Sequence, residues 1–294
     1  NDYTFMAMNF IAGGLSVYTV RDIKNRTQIF RSFLFILLGY TSAILAFGLE
    51  RFAPLDSMLV ELAFAASNAL ISPVLTYGLL IFFERLFNIT TDLTLLELSN
   101  FDRPLLRELA RKAPGTFNHS MTMGTIAETA AEKIGANSLL ARVGAYYHDI
   151  GKTISPQSFV ENQLNNQNLH ENLAPDESVA MIVRHVNEGI ELAKRYKLPQ
   201  ELIDFIPMHH GTTVSNYFYE KAKELYGEAK VDINDYRYPG PKPNTKETVI
   251  VMLADGCESA VRSITDPDAQ KVENMINNIF NSRLKEGQLD EAPI

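Results

Sequence analysis

A chain of 294 residues with 46% hydrophobic content can bury a substantial core in one or two domains. Its formal charge of -8 excludes a general binder of long nucleic acid, which needs clustered Lys and Arg to neutralise phosphates, but leaves a small anionic substrate open because bound cations invert a local field. The single cysteine, Cys257, excludes an intrachain disulfide and fits a reducing compartment for the C-terminal half.

In chain order, the uncharged stretches Tyr3 to Val20, Ser32 to Leu49 and Leu62 to Phe83 come first. A hydrocarbon core of about 30 Å, at about 1.5 Å per helical residue, requires roughly 20 residues, so each stretch reads as a membrane helix. Buried helices of a soluble bundle would show a polar face, and these show no charged one. Arg21, Lys24, Arg26 and Arg31 crowd the first connection against Asp22, whereas Glu50, Arg51, Asp56 and Glu61 make the second net negative. The positive-inside rule places the first connection in the cytoplasm and delivers everything after Glu84 to that side. The chain opens at Asn1 without Met or a basic leader, and reads as an excerpt of a longer protein.

From Asn88 the composition becomes acidic and amphipathic. Leu93, Leu95, Leu96 and Leu98, then Leu105, Leu106 and Leu109, predict helices leading out of the membrane, with Asp102 as the N-cap before Arg103-Pro104. Further helices are predicted at Asn118 to Ile134, Ser138 to Tyr147, Ser178 to Tyr196, Pro199 to His210, Tyr217 to Tyr226, Lys246 to Val261 and Ala269 to Glu286. The Asn-rich run Asn162 to Pro175 and the Pro-rich run Val231 to Thr245 read as loops. The expected organisation is all-α: membrane helices over 1–87, a helical linker over 88–110 and a helical bundle over 111–294.

Five of the six histidines fall on or at the ends of these helices. His148-Asp149 alone is a modest signal, since a buried histidine beside a capping aspartate accounts for it equally well. The ordered set is stronger: His119, His148-Asp149, His185, His209-His210 and Asp255, each from a different part of one bundle. Imidazoles and carboxylates projecting inward from facing helices are how a bundle builds a metal centre. A carboxylate can bridge two cations and a neutral imidazole cannot, which makes Asp149 the candidate bridge.

The order His119, His148-Asp149, Asp255 resembles the H…HD…D signature of the HD-domain metallohydrolases, and His185 with His209-His210 resembles the additional ligands of its dinuclear branch. The segments "LLELSNFDRPLLRELARKAPGTFNHS", "AYYHDIGK", "FIPMHHGTT" and "MLADGCESAVRS" resemble the cytoplasmic portion of the 7TMR-HD family. That resemblance implies a bacterial multi-pass membrane protein of which residues 1–87 are the last three of seven membrane helices. It also implies a cytoplasmic HD domain that hydrolyses cyclic di-AMP to 5'-pApA in second-messenger signalling. It further implies one metal held by His119, His148, Asp149 and Asp255 and another by Asp149, His185, His209 and His210, the ions being Mn²⁺ or Fe²⁺. Affinity order alone does not select those ions.

Two cations a few Å apart activate water and clamp a phosphoryl oxygen, so the implied reaction is in-line attack on phosphorus with the 3′ oxygen of ribose leaving. Lys152, three residues after Asp149, is expected to stabilise the developing phosphoryl charge. Weaker substrate candidates are Thr212 and Thr213, which equally well cap a helix, and Arg262, for which an ion pair with Glu258 is the simpler reading. Tyr146 and Tyr147 are candidates to stack on a base, one of the two being expected to face the core. Cys257 is expected to pack and His170 to be a solvated loop residue. HD-GYP enzymes for cyclic di-GMP carry Gly-Tyr-Pro soon after the histidine pair, whereas here "GTTVSNYFYEKA" follows it. Adenine therefore rests on the resemblance. The alternatives are cyclic di-GMP or another nucleotide phosphoester as substrate, or a membrane receptor that binds nucleotide without hydrolysis; the sequence leaves self-association undecided.

Overall fold

The computed structural model describes residues 2–21, 27–87, 89–163 and 168–293. It divides into two compact units, Asn1–Glu97 and Leu98–Ile294. Among the described residues there is no strand, and the all-α expectation holds; one isolated bridge joins Val214 to Arg237.

The first unit contains α1 (Asp2–Val20), α2 (Thr27–Glu50), α3 (Leu55–Phe87) and most of α4 (Asp92–Leu98). Small residues set the close packing of α1 on α2: a Cβ on Gly39 would lie 2.8 Å from the Cα of Ala12. Ala12, Ile36, Tyr40, Ile44, Ala65 and Ala69 form the seam of α1, α2 and α3. A polar chain crosses it, with the Tyr40 hydroxyl donating to Asn9 Oδ1 at 2.5 Å and accepting from Asn68 Nδ2 at 2.9 Å. Large apolar side chains such as Phe10, Phe64 and Val74 point outward.

Among the described residues, two helical segments are long and apolar enough to cross a membrane, Arg31–Glu50 and Leu55–Glu84. The expected span Tyr3 to Val20 is helical but does not reach that standard, as Asn9, Gly13 and Gly14 dilute it. The third span begins earlier than Leu62, because Asp56 and Glu61 lie in the first turns of α3, leaving Arg51 to Pro54 as the connection. Lys24 and Arg26 of the basic connection lie outside the described residues.

The second unit is a bundle of α5 (Pro104–Lys112), α6 (Pro114–Ile134), α7 (Ser138–Tyr147), α8 (Pro175–Arg195), α9 (Gln200–Met208), α10 (Asn216–Tyr226), α11 (Lys246–Arg262) and α12 (Ala269–Lys285). Met123, Ala127 and Ala131, four residues apart on one face of α6, pack with Ala141, Ala145, Phe205, Ile250, Val251 and Ala254. The alanines bring α7 and α11 close to α6, and that closeness allows ligands from all three to meet. Helix α5, expected as linker, buries Leu105, Leu106 and Leu109 inside this unit.

Several boundaries differ from expectation for traceable reasons. The N-cap of α5 is Arg103 rather than Asp102. Helix α6 begins at Pro114 rather than Asn118, because the Asn162 side chain, far along the chain, accepts from the backbone N–H groups of Gly115 and Thr116 at 2.9 and 3.2 Å. Helix α8 begins at Pro175, where Pro occupies the first turn and Glu177 reaches back to the Ala174 N–H. The two runs expected as loops contain short 3₁₀ turns at Leu169–Glu171 and Ile233–Tyr236, residues 164–167 lying outside the described part.

Gly151 permits the contact that matters most for the site. It follows Asp149 in a 3₁₀ turn (Ile150–Thr153), and a Cβ there would meet the His185 carbonyl oxygen at 1.9 Å and the Gly189 nitrogen at 2.7 Å. Only a residue without Cβ lets α8 approach this closely. Gly151→Ala is expected to destabilise the C-terminal unit by more than the ~1–3 kcal/mol typical of overpacking, seen as a lower Tm of the purified protein. An unchanged Tm would contradict the close approach.

Candidate metal centre

Each histidine and carboxylate of the site is delivered by a different local device. His119 lies within α6, and His148 caps the C-terminal end of α7. Asp149 follows with φ -110° and ψ 16°, the sparsely populated bridge region that turns the chain sharply from α7 into the 3₁₀ turn. His185 lies on α8; His209 caps the C-terminal end of α9, with His210 next; Asp255 lies on α11.

The fold brings all of these together. Asp149 is the centre of the arrangement, and its two oxygens face different groups. Oδ1 lies 3.4 Å from His185 Nε2 and 3.5 Å from His209 Nε2. Oδ2 lies 3.2 Å from His148 Nε2 and 4.0 Å from His119 Nε2. His119 Nε2 is in turn 3.1 Å from Asp255 Oδ1. Ligand atoms of Asp149, His185, His209 and His210 lie within 4.8 Å of one another, as do those of His119, His148 and Asp255.

The imidazoles are aimed by their other nitrogens. His148 Nδ1 is 2.6 Å from the Ala145 carbonyl, His185 Nδ1 is 2.6 Å from that of Ile182, and His209 Nδ1 is 3.1 Å from that of Phe205. A proton on each Nδ1 donates to the carbonyl and leaves Nε2 as a lone-pair donor toward the centre. Asp149 Oδ1 and the Nε2 atoms of His148, His185, His209 and His210 are buried and have no hydrogen-bond partner. Such orphaned atoms are costly unless something pairs with them. Lone-pair donors gathered in two groups about one carboxylate fit divalent cations, which accept those lone pairs.

The electrostatics favour charged carboxylates at the centre. Burial would raise the Asp149 carboxyl, but the Lys152 ammonium and His148 hold it well below the usual carboxylate range. Asp255 is likewise held down against its burial by His119, whose own pKa Asp255 and Glu258 raise to about 10 despite burial, so a cation at His119 would displace a proton. Burial, with His148 as neighbour, pushes His209 down to about 3, and burial beside His209 lowers His210 too. The carboxylates are therefore charged and this histidine pair neutral, the protonation states in which both types ligate metal.

Lys152 Nζ lies 2.7 Å from Asp149 Oδ2 and 3.0 Å from Glu161 Oε1. Glu161 also accepts from the Thr116 hydroxyl at 3.0 Å, tying the cation to the start of α6. Burial lowers the lysine pKa, but Asp149 and Glu161 more than reverse this, so Nζ stays charged beside the centre.

The remaining sequence candidates are engaged by other partners. The Thr213 hydroxyl donates to the His210 carbonyl at 2.8 Å, and Thr212 is engaged by Gln288 through both its N–H and its hydroxyl. Both threonines thus brace the turn after the histidine pair. Arg262 pairs with Glu258, the simpler of its two readings. Tyr146 and Tyr147 are both buried, Tyr146 against Phe101 and Tyr147 donating to the Leu98 carbonyl at 2.8 Å, so neither is available to a base. His170 is not solvated: it is buried, with Nε2 2.8 Å from the Ser158 carbonyl and its ring against Phe218, because the 3₁₀ turn folds it inward. Cys257 is half-buried.

Sequence reasoning gave no role to Tyr238, Glu161 or Gln288. The Tyr238 ring stacks on His210 with centroids 3.8 Å apart and planes at 18°. It lies in the "YRYPGPKPNT" run, whose Pro and Gly marked a loop and masked the aromatic packed over a candidate ligand. Gln288 is fully buried, accepting from the Thr212 N–H at 3.0 Å.

The HD domain family model matches residues 116–260, and the model described as "7TM receptor with intracellular HD hydrolase" matches residues 1–91. The chain is 42% identical, over 100% of its length, to "Cyclic-di-AMP phosphodiesterase PgpH" of Listeria monocytogenes. It is 45% identical over 76% of its length to the protein of that name from Bacillus subtilis. It spans 41% and 31% of the lengths of those two curated relatives. The crystal structure of the L. monocytogenes PgpH HD domain in complex with cyclic-di-AMP superposes with a TM-score of 0.64 at 48% identity, covering 67% of this chain and 91% of that one. A membrane-type N-terminal unit matching the one model, a converging His and Asp set inside the other, and a superposable HD structure together place the chain in the family of 7TM receptors with an intracellular HD hydrolase.

Proposed function

We propose that this chain is the membrane-anchored catalytic portion of a phosphodiesterase that hydrolyses cyclic di-AMP to 5'-pApA. Residues 1–87 would form membrane helices of a multi-pass bacterial protein and residues 111–294 a cytoplasmic HD domain. The observation that carries the reading is the Asp149 carboxylate, whose two oxygens face two different sets of imidazoles. That geometry suits two divalent ions, Mn²⁺ or Fe²⁺, one at His119, His148, Asp149 and Asp255 and the other at Asp149, His185, His209 and His210.

When bound, such a pair lowers the pKa of water and polarises the phosphoryl group. The protein's own residues prepare the site for that chemistry. Asp149, charged and 1% exposed, supplies the fixed negative centre that would hold the cations. The backbone carbonyls behind His148, His185 and His209 keep each imidazole aimed without side-chain motion. Lys152 keeps a positive charge beside the centre, where it can offset charge accumulating on a phosphate, and Glu161 holds it there.

Adenine as the base is supported by the relatives' names and by the cyclic-di-AMP complex of the L. monocytogenes HD domain. Incubating the purified protein with Mn²⁺ and each cyclic dinucleotide, followed by chromatography, tests it. Turnover of cyclic di-AMP to the linear dinucleotide is expected. Faster turnover of cyclic di-GMP would reassign the base, and binding without product would make the chain a receptor.

Asp149→Ala is expected to abolish turnover and deplete both metals. Lys152→Ala is expected to keep its metal, since removing a positive charge does not disfavour cations, while kcat falls on the order of 10² to 10³, as for loss of one electrostatic donor. Metal loss or full kcat in the lysine variant would refute its role.

For topology, a cysteine placed at Arg21 in a Cys257→Ser background is expected to resist a membrane-impermeant thiol reagent in intact cells and to label after lysis. Labelling of intact cells would reverse the orientation.

A further inference from the structure

His119 differs from its neighbours in what holds its second nitrogen. His148, His185 and His209 each bond to a carbonyl three or four residues earlier in the chain, an arrangement local to one helix end or turn. His119 Nδ1 instead lies 2.9 Å from Glu258 Oε2, on a helix 139 residues away. Glu258 is three residues after Asp255 on α11, so the two carboxylates lie on one helix face. Asp255 meets His119 at Nε2 and Glu258 meets it at Nδ1, so one helix grips both ends of a single imidazole.

The proton assignment follows from donors and acceptors. Arg262 Nη2 lies 3.4 Å from His119 Nδ1 and also pairs with Glu258. A guanidinium only donates, so it cannot satisfy an Nδ1–H. With Nδ1 protonated, the Glu258 carboxylate is the acceptor, and Arg262 completes the chain on its outer side. Nε2, 3.1 Å from Asp255 Oδ1, is left to face the centre, and a metal there would take its lone pair in place of the proton that it otherwise shares with Asp255.

We propose that Glu258 is a positioning residue that orients His119 and increases its electron donation, making the site built from His119, His148, Asp149 and Asp255 the tighter of the two. This rests on the reading of His119 as a ligand. A carboxylate behind a ligating imidazole makes it a stronger donor than a neutral carbonyl does, and losing such a partner typically costs about 10–100-fold in metal affinity. Arg262 restrains Glu258 and has no direct part in ligation.

The test is Mn²⁺ titration against a competing chelator for the unsubstituted protein and for Glu258→Ala and Glu258→Gln, with Tm of each metal-free form alongside. Two unequal affinities are expected for the unsubstituted protein. Glu258→Ala should weaken the tighter one about 10–100-fold and leave the other within about twofold. Glu258→Gln, which keeps an acceptor but no charge, should fall between, and it keeps the test valid if the alanine variant does not fold. A metal-free Tm shift with both affinities unchanged would show that Glu258 is only structural, and equal weakening of both sites would show that it does not act through His119. Absence of Mn²⁺ binding in the unsubstituted protein would instead remove the metal reading itself.

Discussion

The C-terminal unit is organised around a carboxylate that the fold has taken out of water. Burying an ion costs several kcal/mol even after relaxation, and the cost is met only by close, well-aimed partners. Asp149 has the Lys152 ammonium 2.7 Å from Oδ2, while Oδ1 and the imidazole nitrogens facing the carboxylate lack hydrogen-bond partners and would be satisfied by bound cations. The surrounding structure follows from that requirement. Gly151 and Gly189 let α8 approach closely enough for His185 to face Oδ1, and the alanine stripe of α6 lets His119 stand opposite Oδ2. Each of these small residues would be an ordinary packing choice elsewhere, but here they determine whether the charge has company.

Much of this was legible in the sequence, because metal-ligating residue types are few and their order along the chain survives without coordinates. His119, His148-Asp149, His185, His209-His210 and Asp255 could be named, and they converge. The supporting residues could not be, since their roles depend on contacts between distant segments. Asn162 caps α6 across the bundle, Glu161 holds Lys152, and Gln288 reaches Thr212; no local pattern joins any of those pairs. Tyr146, Tyr147 and His170 misled in the opposite direction. One of the tyrosines was expected to stack on a base and His170 to be solvated, but all three are buried, in segments whose path the sequence does not dictate.

The N-terminal unit has the surface expected of membrane helices. Many of its outward side chains are large and apolar, and some of its polar groups turn toward one another. The Asn9, Tyr40 and Asn68 chain illustrates the constraint: a hydroxyl donating to one helix and accepting from another satisfies amides that lipid could not. Such a chain ties α1, α2 and α3 together, a contribution that would weigh more in hydrocarbon, where helix association has no hydrophobic drive.

The buried Gln288 has a bearing on how the protein comes into being. Its amide closes the turn carrying His209, His210 and Thr212 across 76 residues, beyond the helix that supplies Asp255. During synthesis, a chain that has emerged only as far as α11 already carries the whole candidate ligand set, yet the turn beneath two of its histidines still lacks its anchor. Full anchoring of that turn therefore depends on a segment that lies beyond every candidate ligand in the chain.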